Sequence, residues 1–520
     1  MNTDLKSLSN ELNIPFRDKI KEVKRDSEIF LKIPLPFMKR YKFVPIEMKD
    51  NTLTLATAFP WEVNVFDELS QTLGIKIKLV FSPVEEINRA IEEYLSTQHS
   101  TPKEMVEELK ESELEIVSSE EEKTDDLLDL ANKPPIIKLV NMIIVEAIKK
   151  RATDIHIQPF ENSLKIRYRV DGILYEFFTL PQQHQSAIIS RLKVMSKLDV
   201  AEHRLPQDGR TTIKIGNRLV DIRVSCIPTQ WGERIVLRLL DKSSSFLNLS
   251  ELGLSPSLLA RTKRLINLPN GMLLVTGPTG SGKTTTLYAI LNEINTPQKN
   301  IITIEDPIEY SVPGVSQIQV KPKINLTFAS GLRSVLRQDP DIIMVGEIRD
   351  KETATIAIQA ALTGHLVFST LHTNDSPGAV TRLLDLGVEP YLISSSLMAV
   401  FAQRLVRLSC RHCLKPYTPQ EEFLTLLKEK GNKLPPTLYK GYGCELCLNT
   451  GYRGRTGIFE LLIISEEIRE MVLTRRRKGE IAQKAQEEGM VSLFQDGLNK
   501  VKQGITTLEE VVRVTYYEVS

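Results

Sequence analysis

No uninterrupted apolar stretch in these 520 residues approaches the roughly 18 needed to cross a bilayer, which excludes a protein built on membrane-spanning helices. Met1-Asn2-Thr3-Asp4-Leu5-Lys6 lacks the basic start and apolar run of a secretory signal, so the expected location is the cytoplasm, with any membrane contact made indirectly through partners. An excess of either charge is also missing. Lys+Arg 67 against Asp+Glu 66 leaves a net charge of +1, which gives no support to nucleic-acid binding. Cysteine is scarce, and the five present are not arranged as a secreted disulfide framework. What remains, 41% hydrophobic and 26% charged residues, is the composition of a soluble globular chain.

At 520 residues the chain is too long for one core, and three or more domains are expected. Residues 1–27 are polar and read as a flexible segment of one or two mobile helices. Residues 28–97 read as a small α+β domain. Leu53 and Leu55 alternate with threonines, Ile75-Lys76-Ile77-Lys78-Leu79 alternates cleanly, and an amphipathic helix starts at Val84. This domain holds no catalytic constellation and reads as a docking module. Residues 98–133, with Glu104, Glu107, Glu108, Glu120, Glu121 and Glu122, form an acidic linker ended by Pro134-Pro135. Residues 134–245 read as a second α+β domain, rich in arginine. It starts with a helix from Ile136 to Lys150, has a hairpin turn at Asp171-Gly172, and carries a further helix from Ala187 to Leu198.

The stretch Gly277-Pro278-Thr279-Gly280-Ser281-Gly282-Lys283-Thr284 organises the remainder, residues 246–520. It fits G-x-x-x-x-G-K-[ST], between an apolar strand (Met272 to Thr276) and a helical pattern at Leu287, Ile290 and Leu291. Glycines let backbone N–H groups curl around a polyphosphate, and the helix, which Thr285 also helps to open, aims its positive end at it. Lys283 is expected on the β- and γ-phosphates of ATP and Thr284 on Mg²⁺. Further apolar strands run at Ile301 to Ile304, Ile342 to Val345 and Leu366 to Thr370. Acids or histidine come after them, which predicts a mostly parallel sheet whose carboxyl ends converge on the phosphates.

Glu347 comes after its strand as an acid that can orient the attacking water. Glu305 and Asp306 form a second acidic cluster, and the reading favours Glu347 as the polarising group with Glu305 assisting. His365 and His372 flank the third strand and are candidates for one shared γ-phosphate site or for subunit coupling. Cys410, Cys413, Cys444 and Cys447 form two C-x-x-C pairs about thirty residues apart, four thiolates suited to a closed structural Zn²⁺ within an insertion at about 408–450. Cys226 stands alone in an apolar run and is expected in the core. Arg210, Arg223, Arg333 and Arg337 are candidates for arginine fingers, delivered within the chain or from a neighbouring subunit.

With these residues the chain resembles the secretion ATPase superfamily, in particular its type II secretion ATPases. The resemblance runs from about Glu28 to the C-terminus. It rests on Asp154-Ile155-His156-Ile157, on Arg204 through Arg210, on the phosphate loop, on Glu305-Asp306-Pro307-Ile308-Glu309-Tyr310, on Asp339 through Asp350, and on Thr363-Gly364-His365 through Asn374. The glycine before Glu347, odd for a generic ATPase, is usual there. Ser394-Ser395-Ser396-Leu397 ahead of Ala402-Gln403-Arg404-Leu405 is more like the type II branch than the pilus-extension branch. The resemblance implies an α/β multidomain architecture: a RecA-like P-loop NTPase core preceded by two α+β domains, the second PAS-like, with a tetracysteine zinc insertion. It implies a homo-hexamer peripheral on the inner membrane, with Arg210 and Arg223 facing the phosphates from the arginine-rich domain and Arg333 and Arg337 from the core. It further implies docking on a bitopic inner-membrane protein and action on a polytopic platform protein. The alternatives are a pilus-extension ATPase, a nucleic-acid translocase on a similar core, and a nucleotide-gated scaffold without activity. Near-neutral charge argues against the second, and intact Lys283, Thr284 and Glu347 argue against the third.

Overall fold

The structure is a computed structural model that describes residues 14–18, 20, 38, 41–49, 52–59, 62–90, 134–215, 218–241, 247–419, 435 and 437–515. The chain divides into two compact units, Met1–Ser119 and Glu120–Ser520. No described helix is long and apolar enough to cross a membrane.

In the first unit, β1 (Phe43–Lys49) pairs antiparallel with β2 (Thr52–Thr57), and β2 pairs parallel with β3 (Lys76–Phe81) across α1 (Val63–Leu73). Gly74 ends α1 at φ 67, the left-handed turn that glycine adopts without strain. Phe43, Leu53, Leu55, Phe66 and Ile87 form the core. Residues 14–18 correct the expectation of a flexible helical segment over 1–27. The Arg17 N–H donates to Phe81 O at 2.9 Å, the Phe81 N–H donates to Pro15 O at 2.8 Å, and Phe16 stands edge-on to Phe81, so this stretch lies extended along β3. The rest of that segment apart from residue 20, and the acidic segment 98–133, lie outside the described residues.

The second unit begins with α2 (Pro134–Lys149), which includes both prolines, since the first turn of a helix has no partner for their missing N–H groups. Then come β4 (Ala152–Phe160), β5 (Ser163–Val170), β6 (Ile173–Pro181), α3 (Gln185–Met195), β7 (Gln207–Ile215), β8 (Arg218–Thr229) and β9 (Gly232–Asp241). Among the described residues these strands form an antiparallel sheet in the order β6-β5-β4-β9-β8-β7. Alternate residues face in, as in β5, where Leu164, Ile166 and Tyr168 are buried and the Tyr168 hydroxyl donates to Ile143 O of α2. Cys226 is buried as expected, its thiol donating to Glu233 Oε1 at 3.1 Å.

The core continues with α4 (Pro256–Leu265), β10 (Gly271–Thr276), α5 (Lys283–Ile294), β11 (Ile301–Glu305), β12 (Ser316–Gln319), α6 (Phe328–Val335), β13 (Ile342–Val345), α7 (Lys351–Leu362), β14 (Leu366–Leu371), α8 (Ser376–Asp385) and β15 (Leu397–Ser409). Beyond these lie the β16 (Leu414–Tyr417) and β17 (Leu438–Gly441) hairpin, β18 (Tyr452–Ile463) and α9 (Leu508–Thr515). Among the described residues the sheet order is β12-β11-β13-β14-β10-β15-β18, parallel throughout except for β18. The residues of β10, β11, β13 and β14 are all buried, which is why these strands are continuous apolar runs. One core cluster gathers α6, α7 and α8, and another gathers α5. The sheet is therefore covered on both faces, and its open end is the row of strand carboxyl termini.

Candidate active site

The phosphate loop leaves the end of β10 directly. Gly277 (φ 149), Gly280 (φ 79) and Gly282 (φ 88) take conformations that L side chains rarely adopt. A Cβ on Gly277 would come 2.5 Å from Gln403 O, and one on Gly282 would come 2.8 Å from Gln403 Nε2. β15 thus backs the loop, and Gln403 also accepts from Thr286 Oγ1 at 2.7 Å. Pro278, Thr279, Thr284 and Thr285 lie half-buried or exposed around the turn into α5. Ser281 is 4% exposed, and its Oγ has no hydrogen-bond partner among the described residues. An orphaned buried donor, a glycine cradle and a helix N-terminus fit a polyphosphate. Lys283 Nζ donates to Gly277 O at 2.7 Å and Pro278 O at 3.1 Å. Burial pushes the Lys283 ammonium down to about 8, although Glu347 pulls it up.

Sheet order brings the next two groups beside this loop. β14 lies between β10 and β13, so His372, just past β14, stands between Lys283 and Glu347. His372 Nε2 is 3.5 Å from Glu347 Oε2, and Arg349 Nη2 is 2.5 Å from Glu347 Oε1. Burial pushes the Glu347 carboxyl up, but Arg349 and His372 outweigh it and hold it below the usual carboxylate range. Burial and the Lys283 charge hold His372 below its ordinary value while Glu347 pulls the other way. Glycine precedes Glu347 for a packing reason: a Cβ at 346 would sit 3.2 Å from Ile304 O. The turn is pinned by Gly346 N–H to Ile304 O at 2.8 Å and Thr370 Oγ1 to Gly346 O at 2.7 Å.

Other candidates are placed differently. Glu305 is 3% exposed and accepts three side-chain hydrogen bonds. Its Oε1 accepts from Thr303 Oγ1 at 2.6 Å and Gln317 Nε2 at 3.0 Å, and its Oε2 accepts from the Tyr288 hydroxyl. These contacts make the expected assisting acid a brace between α5, β11 and β12. His365 does not share a site with His372. It sits at the amino end of β14, where Nδ1 is 2.9 Å from Ala360 O at the close of α7, a strand length of roughly 20 Å away. Arg337 is likewise at the amino edge. Its neighbours Gln338 and Asp339 accept through their carbonyls from Asn300 Nδ2, just ahead of β11. Arg333 pairs with Glu352 on the helical layer. Neither arginine meets the loop of its own chain.

Arg210 and Arg223 face each other across β7 and β8 and line a cleft of about 810 Å³ with Ile308, Glu309 and Tyr310. Arg223 Nη2 lies 2.9 Å from Glu309 Oε2 and donates to Ile308 O at 3.2 Å. The cleft belongs to the same carboxyl end of the sheet, although the phosphate loop is not in its lining. Sequence reasoning passed over Arg349, Tyr288 and the loop-backing role of Gln403. Only Arg349 left a signal, two residues beyond Glu347 on an extended segment.

The four paired cysteines converge. Cys410 and Cys444 sulfurs are 3.8 Å apart, Cys413 and Cys447 3.9 Å, Cys444 and Cys447 3.6 Å, and all four lie within 4.8 Å of one another. Zn–S bonds of about 2.3 Å give a tetrahedral edge of about 3.8 Å, so the set fits that ion. The Gly443 and Cys444 N–H groups donate to Cys413 and Cys447 sulfur. Burial raises the Cys447 thiol, but N–H donors from Cys444 and Gly451 bring it to about 7. Gly441 and Gly451 are needed where two backbones abut, since a Cβ on Gly441 would lie 2.1 Å from Gly451 O.

The family profile "Type II/IV secretion system protein" matches residues 129–513, and the profile "MshEN domain" matches residues 12–101. The chain is 46% identical to the Type II secretion system ATPase E of Vibrio cholerae, over 93% of this chain and 96% of that one. It is 45% identical to the Type II secretion system protein E of Pseudomonas aeruginosa, over 94% and 97%. It is 43% identical to the Type IV pilus assembly ATPase PilB of Myxococcus xanthus, over 97% and 89%. Among solved structures, the Legionella pneumophila ATPase DotB has a similar fold, with TM-score 0.54 at 23% identity over 72% of this chain and 95% of that one.

Proposed function

The chain belongs to the type II/IV secretion system protein family, as a type II secretion ATPase, and from that membership we propose that it is the cytoplasmic motor whose ATP hydrolysis powers pseudopilus assembly and export across the outer membrane. The observation that carries the reading is the row of groups at the ends of three adjacent parallel strands: Lys283 after β10, His372 after β14 and Glu347 after β13. In this reading the loop amides and Ser281 take the β- and γ-phosphates, and Lys283 exchanges its two carbonyl contacts for phosphate oxygens. Thr284 holds Mg²⁺, which when bound offsets phosphate charge. Glu347, kept ionised by Arg349, orients the water that attacks the γ-phosphorus, and ADP and phosphate leave. Arg223 exchanges Glu309 for phosphate, and Arg210 joins it. Arg333 and Arg337, remote from their own loop, serve a neighbouring subunit in a homo-hexamer.

The remaining parts of the proposal are a docking module at 28–97, a linker at 98–133, the arginine-rich domain at 134–245 and the ATPase domain at 246–520. The module binds a bitopic inner-membrane protein, and the ring works on a polytopic platform protein. Cys410, Cys413, Cys444 and Cys447 hold a structural Zn²⁺. Cys410→Ser should lose the metal by elemental analysis and lower the melting temperature. Stoichiometric zinc in that variant would remove the four-thiolate assignment.

The test of the motor role is a pull-down with the whole chain from its own cell's membrane extract. Recovery of a bitopic secretion protein is expected. Recovery of pilus-assembly proteins instead would move the chain to pilus extension, the second reading, which the 43% identity to PilB keeps open.

A further inference from the structure

The arginine-rich sheet is fastened to the ATPase core at both edges. Near one edge, on β8, Arg223 engages Glu309 and Ile308. At the other, the tip of the β5–β6 hairpin reaches β18 and β15. Asp171 Oδ2 accepts the Gly454 N–H at 2.8 Å, Asp171 Oδ1 lies 3.9 Å from Arg455 Nε, and Arg407 Nη1 donates to the Tyr175 hydroxyl at 3.4 Å. Three strand spacings separate β5 from β8, roughly 14 Å at about 4.8 Å each. A body held at two points that far apart can turn only about the line that joins them. Released at one point, it swings about the other.

Both sides of this second contact are built structures. The turn takes φ 49 at Asp171 and 88 at Gly172, and Arg169 Nη1 donates to Gly172 O at 3.0 Å. Opposite, Arg407 lies 4.0 Å over the Tyr452 ring and 2.9 Å from Glu510 Oε2, a carboxylate buried on α9. Gly454 is three residues past Gly451, whose carbonyl accepts the Cys410 N–H at 2.9 Å. None of these groups has a role in the hydrolysis described above.

We propose that Asp171 is a positioning residue, a latch that docks the arginine-rich domain beside the cysteine centre and thereby fixes the angle at which β7 and β8 present Arg210 and Arg223 to the phosphates. The inference rests on the arginine roles proposed above. It makes the cysteine centre more than a staple, because the segment it organises is the seat of the latch.

Two variants separate latch from fold. Asp171→Gly keeps the positive-φ turn at no steric cost and deletes the carboxylate. Asp171→Asn keeps an acceptor for the Gly454 N–H. In the whole chain, Asp171→Gly should lower kcat roughly tenfold with KM for ATP and melting temperature little changed, since misplacement of transition-state groups spares ground-state binding. Asp171→Asn should recover most of that loss. Added to Arg210→Ala, Asp171→Gly should cost less than it does alone, because the group it positions is gone. Normal kcat in Asp171→Gly beside an impaired Arg210→Ala overturns the latch while leaving the arginine reading intact. Normal kcat in Arg210→Ala overturns the arginine reading and the latch with it. Equal losses in the glycine and asparagine variants overturn the role of the Gly454 contact.

Discussion

Lys283→Ala should abolish measurable ATP hydrolysis and weaken ATP binding in the whole chain, with its melting temperature near that of the parent. The ammonium already sits inside the loop on Gly277 O and Pro278 O, so removing it deletes the one side-chain cation that the phosphate loop itself carries. Charge stabilisation of this kind is worth roughly 10²–10³ in rate for a single donor in a site shielded from water, and a cation exceeds a neutral donor. The lysine also gives binding a pH signature. Its protonated form is the one that holds phosphate, and burial sets its pKa at about 8 in the free protein. Affinity for ATP should be flat below that value and fall above it, by up to about tenfold per pH unit. Stability should move the other way. The folded value lies below the ordinary 10.5, so between about 8 and 10.5 the unfolded chain binds more protons, and this group's contribution to stability rises with pH. Loss of binding without loss of melting temperature across that window is the expected pair of curves. Isothermal titration of the non-hydrolysable nucleotide at several pH values, with melting curves of parent and variant side by side, measures both. Normal turnover in Lys283→Ala would remove the phosphate-loop assignment altogether.

Much of this site was legible in the sequence because parallel strands buried on both faces are written as unbroken apolar runs, and the residues just past each run lie at the ligand end. Gly277 to Thr284 was read from the G-x-x-x-x-G-K-[ST] pattern, and Glu347 and His372 from their places just past such runs. The same signal misled at His365, which precedes its strand. A linear reading marks both flanks of Leu366–Leu371 alike, but only one end faces the loop. The bracing contacts of Glu305 were illegible for a related reason. Glu305 is the last residue of β11, whereas Glu347 lies two residues past β13, and two of the three donors to Glu305 come from α5 and β12, elements whose side-chain reach has no linear pattern. Contacts such as Arg223 with Glu309, or Arg407 with Tyr175 from 232 residues away, are set by packing of separate domains and leave no periodicity at all. The pairing of residues 14–18 with β3 was missed because a short extended stretch carries too few residues to show alternation.

The two glutamates can be told apart by what each loses as glutamine. Glu347→Gln should bind ATP as well as the parent or better, since a carboxylate no longer faces the γ-phosphate, while the hydrolysis rate falls by roughly 10²–10⁴, the usual value of a positioned acid–base group. Its own environment supports that role: the carboxyl is held below the usual range, so it stays ionised throughout the working pH and is aimed by Arg349 and His372. Glu305→Gln should act on the fold. The carboxylate accepts from Thr303, Gln317 and Tyr288 at once, and an amide presents N–H groups where one of those donors points. A buried donor left unmatched costs about 1–3 kcal/mol, so Glu305→Gln should melt several degrees lower. It also frees the Tyr288 hydroxyl, whose pKa burial and Glu305 together now raise. Single-turnover hydrolysis with labelled ATP, measured beside melting temperature for both variants, separates the cases. A collapsed rate at unchanged stability in Glu305→Gln, with Glu347→Gln turning over, would exchange their roles, because a brace shows its loss in the fold and a water-orienting carboxylate shows it in the rate.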